Sequence, residues 1–252
     1  MQSITPNKSL GQNFFTNASL ARKIVDIVVE SDPSHIIEIG PGPGTFTNLL
    51  AERAQVIAIE KDHQFEMVLS QIDNLEVLYQ DILETDFHEI LMKWELEAEK
   101  VVIFGSLPYN ISKRIIANNL RSSLIQNQYY IIQKEVAEKY IANAPQNNIL
   151  SLTSEVYSQC NKLFDISPGS FNPPPKVTSS FIKFTLNATG EIHENAEELC
   201  KFISSSFSHP RKTLNNNLKN YSEEIHDKEL LQMRPSQLTL DQYVELFNQL
   251  KR

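Results

Sequence analysis

The chain has 252 residues, of which 41% are hydrophobic and 9% aromatic, enough for one α/β domain with a smaller appended domain. No segment approaches the roughly 18 consecutive apolar residues of a membrane helix, and the N-terminal residues do not resemble a signal peptide. The two cysteines, Cys160 and Cys200, lack metal-ligand spacing. They therefore argue against a metal site and favour a reducing, cytoplasmic location.

The net charge of −8 argues at first against a nucleic-acid partner, because phosphate binding requires a basic surface. The distribution of charge is uneven, however. Residues 26–99 contain 17 acidic and 3 basic side chains, whereas residues 100–134 contain five basic and no acidic ones. Residues 199–222 contain four basic and no acidic side chains. Charge alone therefore leaves the class of partner open.

In the first half of the chain, short apolar runs alternate with segments of helical periodicity. The pattern predicts helices over 19–30, from about 45, and over 62–71, and strands over 35–40, 55–62, 74–81, 100–106 and 128–135. Strands that alternate with helices and are apolar on both faces indicate a mostly parallel sheet. We therefore expect an α/β fold in which helices cover both faces of the sheet.

The pattern changes after Lys134. Two helices are predicted over 136–142 and 150–159, followed by strands on either side of the proline-rich loop within 162–186. A linker near 187–191 leads into a tail with helical periodicity throughout. The sequence therefore predicts two domains, 1–187 and an all-helical 188–252.

Three residue groups fall at the carboxyl ends of the first three predicted strands. Gly40, Gly42 and Gly44 form a turn in which the backbone can approach a ligand, and the intervening prolines remove N–H groups that would bind a pyrophosphate. Glu60 ends the second strand and Asp81 the third, where carboxylates can accept hydrogen bonds from ribose hydroxyls and an adenine amine. The set fits an adenosine cofactor without phosphates, S-adenosylmethionine. Alternatively, the carboxylates only cap helices or face solvent.

A second group, Ser106-Leu107-Pro108-Tyr109, ends the fourth predicted strand. A purine amine is a poor nucleophile because its lone pair is delocalised. A polar side chain and a main-chain carbonyl that accept its protons would turn the lone pair towards a methyl donor, and the proline would fix the turn. The tyrosine would stack on the base. The group therefore predicts methyl transfer to an amine, unless it is only a strand-ending turn.

Seven segments resemble, in order and at family spacing, the ribosomal small-subunit RNA adenine dimethyltransferases. They span Lys8 to Leu218 and read KSLGQNFF, EIGPGPGTFTNLL, VIAIEKD, FGSLPYNIS, IIQKEVAEKYIA, FNPPPKVTSSF and FSHPRKTLNNNL. The related macrolide-resistance methyltransferases of large-subunit RNA and a mitochondrial transcription-factor branch share this pattern. The resemblance implies a Rossmann-like methyltransferase sheet with a small helical domain for RNA recognition.

The resemblance also implies roles for individual residues. Phe171 would supply a second aromatic wall opposite Tyr109. The cofactor would be bound by the N-terminal arm and the strand ends, through Asn13, Phe15, Gly40, Glu60, Asp81 and Ser106. The family usually has asparagine in place of Ser106 and leucine in place of Phe15. Serine can still accept a hydrogen bond, but its shorter reach predicts a weaker hold on the amine and a slower reaction.

The implied substrate is a pair of adjacent adenosines in a hairpin loop near the 3′ end of small-subunit rRNA, each receiving two methyl groups. The implied partner is the immature small ribosomal subunit, bound by a monomer. The basic residues Lys113, Arg114, Arg211 and Lys212 are candidates for phosphate contacts, or else belong to an ordinary solvated surface. Two other functions stay open: methylation of large-subunit RNA or DNA adenine, and a largely non-catalytic role in subunit assembly.

Overall fold

A computed structural model describes residues 12–122, 124–187, 195–219, 221 and 225–250. The chain forms two compact units. The first takes in the chain as far as Ala137 together with Asn161–Leu186, and the second takes in Glu138–Cys160 and the chain from Asn187 onward. The start of the KSLGQNFF segment, residues 8–11, and the predicted linker beyond residue 187 lie outside the described residues.

The division into units differs from the predicted domains 1–187 and 188–252 in one respect, because Glu138–Cys160 belongs to the second unit. Hydrogen bonds explain the difference. The buried Asn147 side chain donates to the Leu238 carbonyl at 2.8 Å, and its backbone N–H donates to the Ser236 carbonyl at 3.0 Å. Such contacts across about ninety residues cannot be recognised from local sequence pattern.

The described residues contain nine strands, which include the five predicted in the first half of the chain. They are β1 (Phe14–Phe15), β2 (His35–Ile39), β3 (Gln55–Glu60), β4 (Leu75–Tyr79), β5 (Val101–Ser106), β6 (Asn127–Gln133), β7 (Ser158–Ile166), β8 (Phe171–Asn172) and β9 (Ser179–Leu186). Seven of them form one sheet in the order β4-β3-β2-β5-β6-β9-β7, and β1 pairs only with β8. The β2–β3, β2–β5, β3–β4 and β5–β6 pairs are parallel, whereas β9 runs antiparallel to β6.

Eleven α-helices lie within the described ranges. They are α1 (Ala18–Val28), α2 (Thr45–Ala51), α3 (Glu66–Leu69), α4 (Phe87–Lys93), α5 (Ser112–Ser122), α6 (Lys134–Tyr140), α7 (Ile149–Glu155), α8 (Ala196–Ser206), α9 (Leu214–Asn217), α10 (Lys228–Gln232) and α11 (Leu240–Gln249). The helix predicted over 150–159 ends early, because β7 begins at Ser158. The helix predicted over 62–71 is a 3-10 turn followed by the short α3.

The sheet is covered on both faces because consecutive residues of its central strands β2, β3, β5 and β6 are buried. Side chains alternate between the faces of a strand. In β2, Ile36 packs into the core cluster that contains α1 and α2, whereas the equally buried Ile37 follows it on the opposite face. On that opposite face, Asn119 of α5 donates to the Tyr130 hydroxyl of β6 at 2.8 Å. The predicted α/β fold with helices on both faces is confirmed.

The strand order reverses between β2 and β5, the two central neighbours. From β2 the chain proceeds outward through β3 to β4, whereas β5 begins the other half of the sheet. In parallel α/β sheets the crevice at such a reversal, outside the carboxyl ends of the strands, is the usual ligand site. The fold therefore predicts a ligand site at the carboxyl ends of β2, β3, β4 and β5.

The described residues of the second unit from Ala196 onward contain helices and no strand, as the sequence predicts. Its core includes the fully buried Tyr243, whose hydroxyl lies 2.9 Å from the Ser206 Oγ and 3.0 Å from the Pro235 carbonyl. Phe202 packs edge to face against Tyr243, and Phe247 packs against Phe202. Across all described residues, no helix is both long and apolar enough to cross a bilayer.

Candidate active site

The turn after β2 is built from glycines in the left-handed region. Gly40, Gly42 and Gly44 have φ angles of +68°, +53° and +86°, which side-chain-bearing residues rarely adopt. A Cβ added at Gly40 would meet no atom within 4 Å, so the space beside this residue is open. Gly44 then caps the start of α2. The turn thus places backbone without side chains at the edge of the crevice between β2 and β5.

Glu60, the last residue of β3, is held by this turn. Its Oε2 accepts a hydrogen bond from the Gly42 N–H at 3.1 Å, and its Oε1 accepts one from the Asp62 N–H at 2.7 Å. The residue is only 6% exposed. Burial raises the pKa of Glu60, and these backbone hydrogen bonds oppose the rise. Each oxygen retains a lone pair with which it can accept a further hydrogen bond from a ligand.

Asp81 follows β4 and is held in a different way. Its Oδ2 lies 2.7 Å from the Lys61 ammonium, and its Oδ1 accepts a hydrogen bond from the Leu83 N–H at 2.9 Å. The hydrogen bond from Lys61 lowers the pKa of the Asp81 carboxyl, so the group is ionised at neutral pH. Sequence reasoning missed Lys61, although its place directly after Glu60 puts it at the same sheet edge.

A further carboxyl lies beneath the glycine turn. Glu38 of β2 is 2% exposed, and its Oε2 has no hydrogen-bond partner among the described residues. Burial raises the pKa of Glu38 to about 8, the nearby Glu60 carboxylate adds to the rise, and the Thr47 side chain opposes it. Glu38 is therefore a protonated acid at neutral pH in the folded protein.

The Ser106–Tyr109 group lies where β5 ends. The Leu107 N–H donates to the Ile131 carbonyl of β6 at 3.0 Å, which extends the ladder by one residue before Pro108 ends it. Leu107 is buried, whereas Ser106, Pro108 and Tyr109 are partly exposed. The Pro108 carbonyl then accepts from the Ile111 N–H at 3.2 Å, leading into α5. Ser106 and Tyr109 thus lie on either side of a fixed turn.

The N-terminal arm reaches this region through β1. Phe15 of β1 is opposite Phe171 of β8, and the two rings meet edge to face at 5.1 Å. Phe15 also packs on Phe46 of α2 at 4.8 Å, and its carbonyl accepts from the Thr45 hydroxyl at 3.0 Å. Both Phe15 and Phe171 are 4% exposed, so each presents only a small part of its ring to a ligand.

One cavity joins these groups. Its lining includes ten of the residues predicted for cofactor binding and catalysis, namely Asn13, Phe15, Gly40, Glu60, Asp81, Ser106, Leu107, Pro108, Tyr109 and Phe171. Lys61, Phe46 and Ile115 also line it and were not predicted. Residues separated by up to 158 positions in the chain therefore meet at the carboxyl edge of the sheet.

The four predicted phosphate-binding residues do not line the cavity. Lys113 and Arg114 lie in the first turn of α5, which follows the Ser106–Tyr109 group, and Arg114 contributes to lowering the pKa of Asp81. Arg211 and Lys212 lie in the second unit, exposed in the turn between α8 and α9. Their role in RNA binding stays a prediction.

A reversing parallel sheet, a glycine turn, acidic strand ends and a Pro-Tyr turn around one cavity define a Rossmann-like methyltransferase. The chain belongs to the ribosomal RNA adenine dimethylase family, whose family model matches residues 4–252. This membership confirms the family resemblance seen in the sequence and identifies the chain as an enzyme.

Relatives in sequence agree with this family, and solved structures agree with the fold. The chain is 34% identical to ribosomal RNA small subunit methyltransferase A of Mycoplasma capricolum, over 96% of each chain. It is 34% identical to the protein of the same name from Koribacter versatilis, over 96% of this chain and 94% of that protein. The fold matches a Plasmodium falciparum dimethyladenosine transferase with a TM-score of 0.79, at 22% identity over 94% of this chain and 98% of the other. It also matches the 23S rRNA methyltransferase ErmE with a TM-score of 0.73, at 20% identity over 95% and 100%.

Proposed function

We propose that this enzyme uses S-adenosylmethionine to methylate the N6 amines of two adjacent adenosines in a hairpin loop near the 3′ end of small-subunit (16S) rRNA. Each adenosine receives two methyl groups, and the reaction takes place during biogenesis of the small subunit. The observation that carries the proposal is the single cavity lined by Glu60, Asp81 and the Ser106–Tyr109 turn. A nucleoside cofactor and a target base both need such a cavity.

The residues present fit the cofactor. The open space beside Gly40 admits a ligand against the backbone, and the Glu60 carboxylate would accept hydrogen bonds from the two ribose hydroxyls. The ionised Asp81 carboxylate would accept from the adenine amine. Asn13 and Phe15 of the arm would complete the site. When bound, the cofactor supplies an electrophilic methyl group on a sulfonium.

The target amine would be oriented by the Ser106–Tyr109 turn. The Ser106 hydroxyl and the Leu107 main-chain carbonyl would accept hydrogen bonds from its N–H groups, which turns the nitrogen lone pair towards the methyl group. Tyr109 would stack on the base, with the exposed edge of Phe171 as a second wall. Orientation and proximity supply most of the acceleration. The product loses its proton to water, so no general base is required.

The RNA would be positioned by basic side chains outside the cavity. Lys113 and Arg114 lie directly after the reactive turn, and Arg211 and Lys212 are exposed in the helical part that residues 188–252 contribute. Contacts to phosphates fix the orientation of an RNA without reading its sequence. Extruding a base from a loop requires less energy than extruding one from a duplex. A hairpin loop is therefore the favoured target.

The names of the relatives favour the small subunit over the alternatives. The relatives at 34% identity are named as small-subunit methyltransferases, whereas the likeness to ErmE supports the fold alone. A largely non-catalytic assembly role would leave no reason for the cavity to contain an ionised Asp81 beside a bare glycine turn. We place the enzyme in the cytoplasm, acting as a monomer on the immature small subunit.

The test is incubation of the protein and labelled S-adenosylmethionine with unmethylated small subunits, with large subunits and with adenine-containing DNA. The proposal expects label only in the small subunits, as dimethyladenosine at two adjacent positions near the 3′ end. Label in large subunits or DNA would overturn the substrate. Tight binding to small subunits without any label would overturn the activity and favour an assembly factor.

A further inference from the structure

Tyr109 is held at both ends of its side chain. Its backbone follows Pro108, which fixes the turn, and its hydroxyl lies 2.6 Å from the Oγ of Ser179. Ser179 is fully buried and is the first residue of β9, paired with Gln133 of β6. The contact joins positions seventy residues apart.

We infer that Ser179 is a positioning residue, which fixes the plane of the Tyr109 ring so that a target base stacks at the correct angle to the reacting nitrogen. The inference rests on the proposed function of the cavity. Ser179 does not line the cavity and acts only through Tyr109.

The physical reason lies in the freedom of an aromatic side chain on a turn. A half-exposed tyrosine with an untethered hydroxyl can change its χ1 and χ2 angles, and each change moves the stacking face. A hydroxyl held by a rigid strand removes this freedom before the base arrives, which is preorganisation. The β6–β9 pair supplies that rigidity, because seven consecutive residue pairs connect the two strands.

The chain offers a matched control in the next residue. Ser180 is also fully buried in β9, but its hydroxyl donates to the Asp165 carboxylate at 2.7 Å instead of contacting Tyr109. Replacing either serine by alanine removes one buried hydroxyl from the same strand. Only Ser179→Ala releases Tyr109.

The experiment compares Ser179→Ala, Tyr109→Phe, the double variant and Ser180→Ala in methyl transfer to small subunits. Ser179→Ala and Tyr109→Phe should each lower kcat about three- to tenfold, the effect of one net hydrogen bond, without changing KM for the cofactor. The double variant should be no slower than the slower single variant. Multiplicative losses in the double variant, or equal kcat values for Ser179→Ala and Ser180→Ala, would overturn the inference.

A second measurement does not depend on the substrate. With 3-fluorotyrosine at position 109, the ¹⁹F resonance should shift or broaden in Ser179→Ala and stay unchanged in Ser180→Ala. An unchanged resonance in both variants would overturn the inference. If the wild-type protein labels no small subunits, the proposed function fails, while this resonance still reports whether Ser179 holds the ring.

Discussion

The two halves of the cavity, which we assign to the cofactor and to the target base, are built differently. In the cofactor half, Glu60 is held by backbone N–H groups of Gly42 and Asp62, and Asp81 by Lys61 and Leu83, all within about twenty residues. In the target half, Tyr109 depends on Ser179, seventy residues away. The hydrogen bonds that hold Glu60 and Asp81 therefore come from the strand ends themselves, whereas the position of Tyr109 depends on pairing within the completed sheet.

The largest expected effect is on the cofactor half. In Glu60→Gln, the amide nitrogen would face the Gly42 N–H or the Asp62 N–H, so one hydrogen bond becomes a repulsion between donors. We expect the Kd for S-adenosylmethionine to rise about 100-fold or more, the loss of one to two charged hydrogen bonds. Isothermal titration calorimetry measures it, with Glu76→Gln, an exposed carboxylate of β4, as control. An unchanged Kd would remove Glu60 from the site.

The next prediction distinguishes the target half of the cavity from the cofactor half. Tyr109→Ala removes the stacking surface, worth about 1–3 kcal/mol for a base on an aromatic ring, so kcat/KM for RNA should fall about 10- to 100-fold. The cofactor Kd should stay within twofold of wild type. Tyr221→Ala, which removes a tyrosine that is 41% exposed, serves as the control. A loss of cofactor affinity as large as the loss of rate would show that the two halves are not separable.

A smaller effect concerns Ser106, one of the two positions at which the sequence departs from the pattern of the family it resembles. Ser106→Asn lengthens the acceptor that we assign to the target amine, and the rate should rise about two- to fivefold, part of one hydrogen bond. Single-turnover methyl transfer measures the change, and mass spectrometry of the RNA counts the methyl groups. A large fall in rate would contradict the role given to Ser106.

A further prediction concerns stability rather than activity and tests the carboxyl below the glycine turn. The pKa of Glu38 is about 8 in the folded protein and ordinarily 4.5, so the folded state holds a proton that the unfolded chain releases. The stability from this group is therefore full below pH 4.5 and falls as the pH rises towards 8, by at most about 1.4 kcal/mol per pH unit.

Glu38→Gln replaces the protonated acid by a neutral amide of the same shape and should flatten this slope. Urea unfolding at pH 6 and pH 8 measures the free energy of unfolding in both proteins, with the exposed Glu52→Gln as control. A slope as steep in Glu38→Gln as in the wild type would show that another group causes the pH dependence.

Much of the sheet and of the cavity could be predicted from the sequence. Short apolar runs such as Val101–Phe104 indicate buried strands, and parallel strands place their carboxyl ends at one edge of the sheet. That rule is sufficient to bring Glu60 and Asp81 together with the Ser106–Tyr109 turn. The motif spacing then identifies the family.

The rest depended on contacts that no local pattern reports. The pairing of Phe14–Phe15 with Phe171–Asn172 involves two residues on each side, too few for a periodicity. Helix α5 is an exception, because its buried positions Ile115, Ile116, Asn119 and Leu120 recur at helical spacing, and a helix over this segment could have been predicted. The early end of α7 follows from Ser158 entering the sheet beside distant strands.

The pairing of β1 with β8 also has a consequence for how substitutions in these two strands would affect ligand binding. One of its strands carries Phe15, which we assign to the cofactor, and the other carries Phe171, which we assign to the target base, and both residues line the cavity. A substitution that disrupts the β1–β8 pairing would therefore weaken the binding of both reactants at once. A single change at Glu60 or Tyr109 would weaken the binding of only one. A simultaneous loss of affinity for the cofactor and for the RNA would thus indicate that the β1–β8 pairing is disrupted, rather than that a single ligand contact is lost.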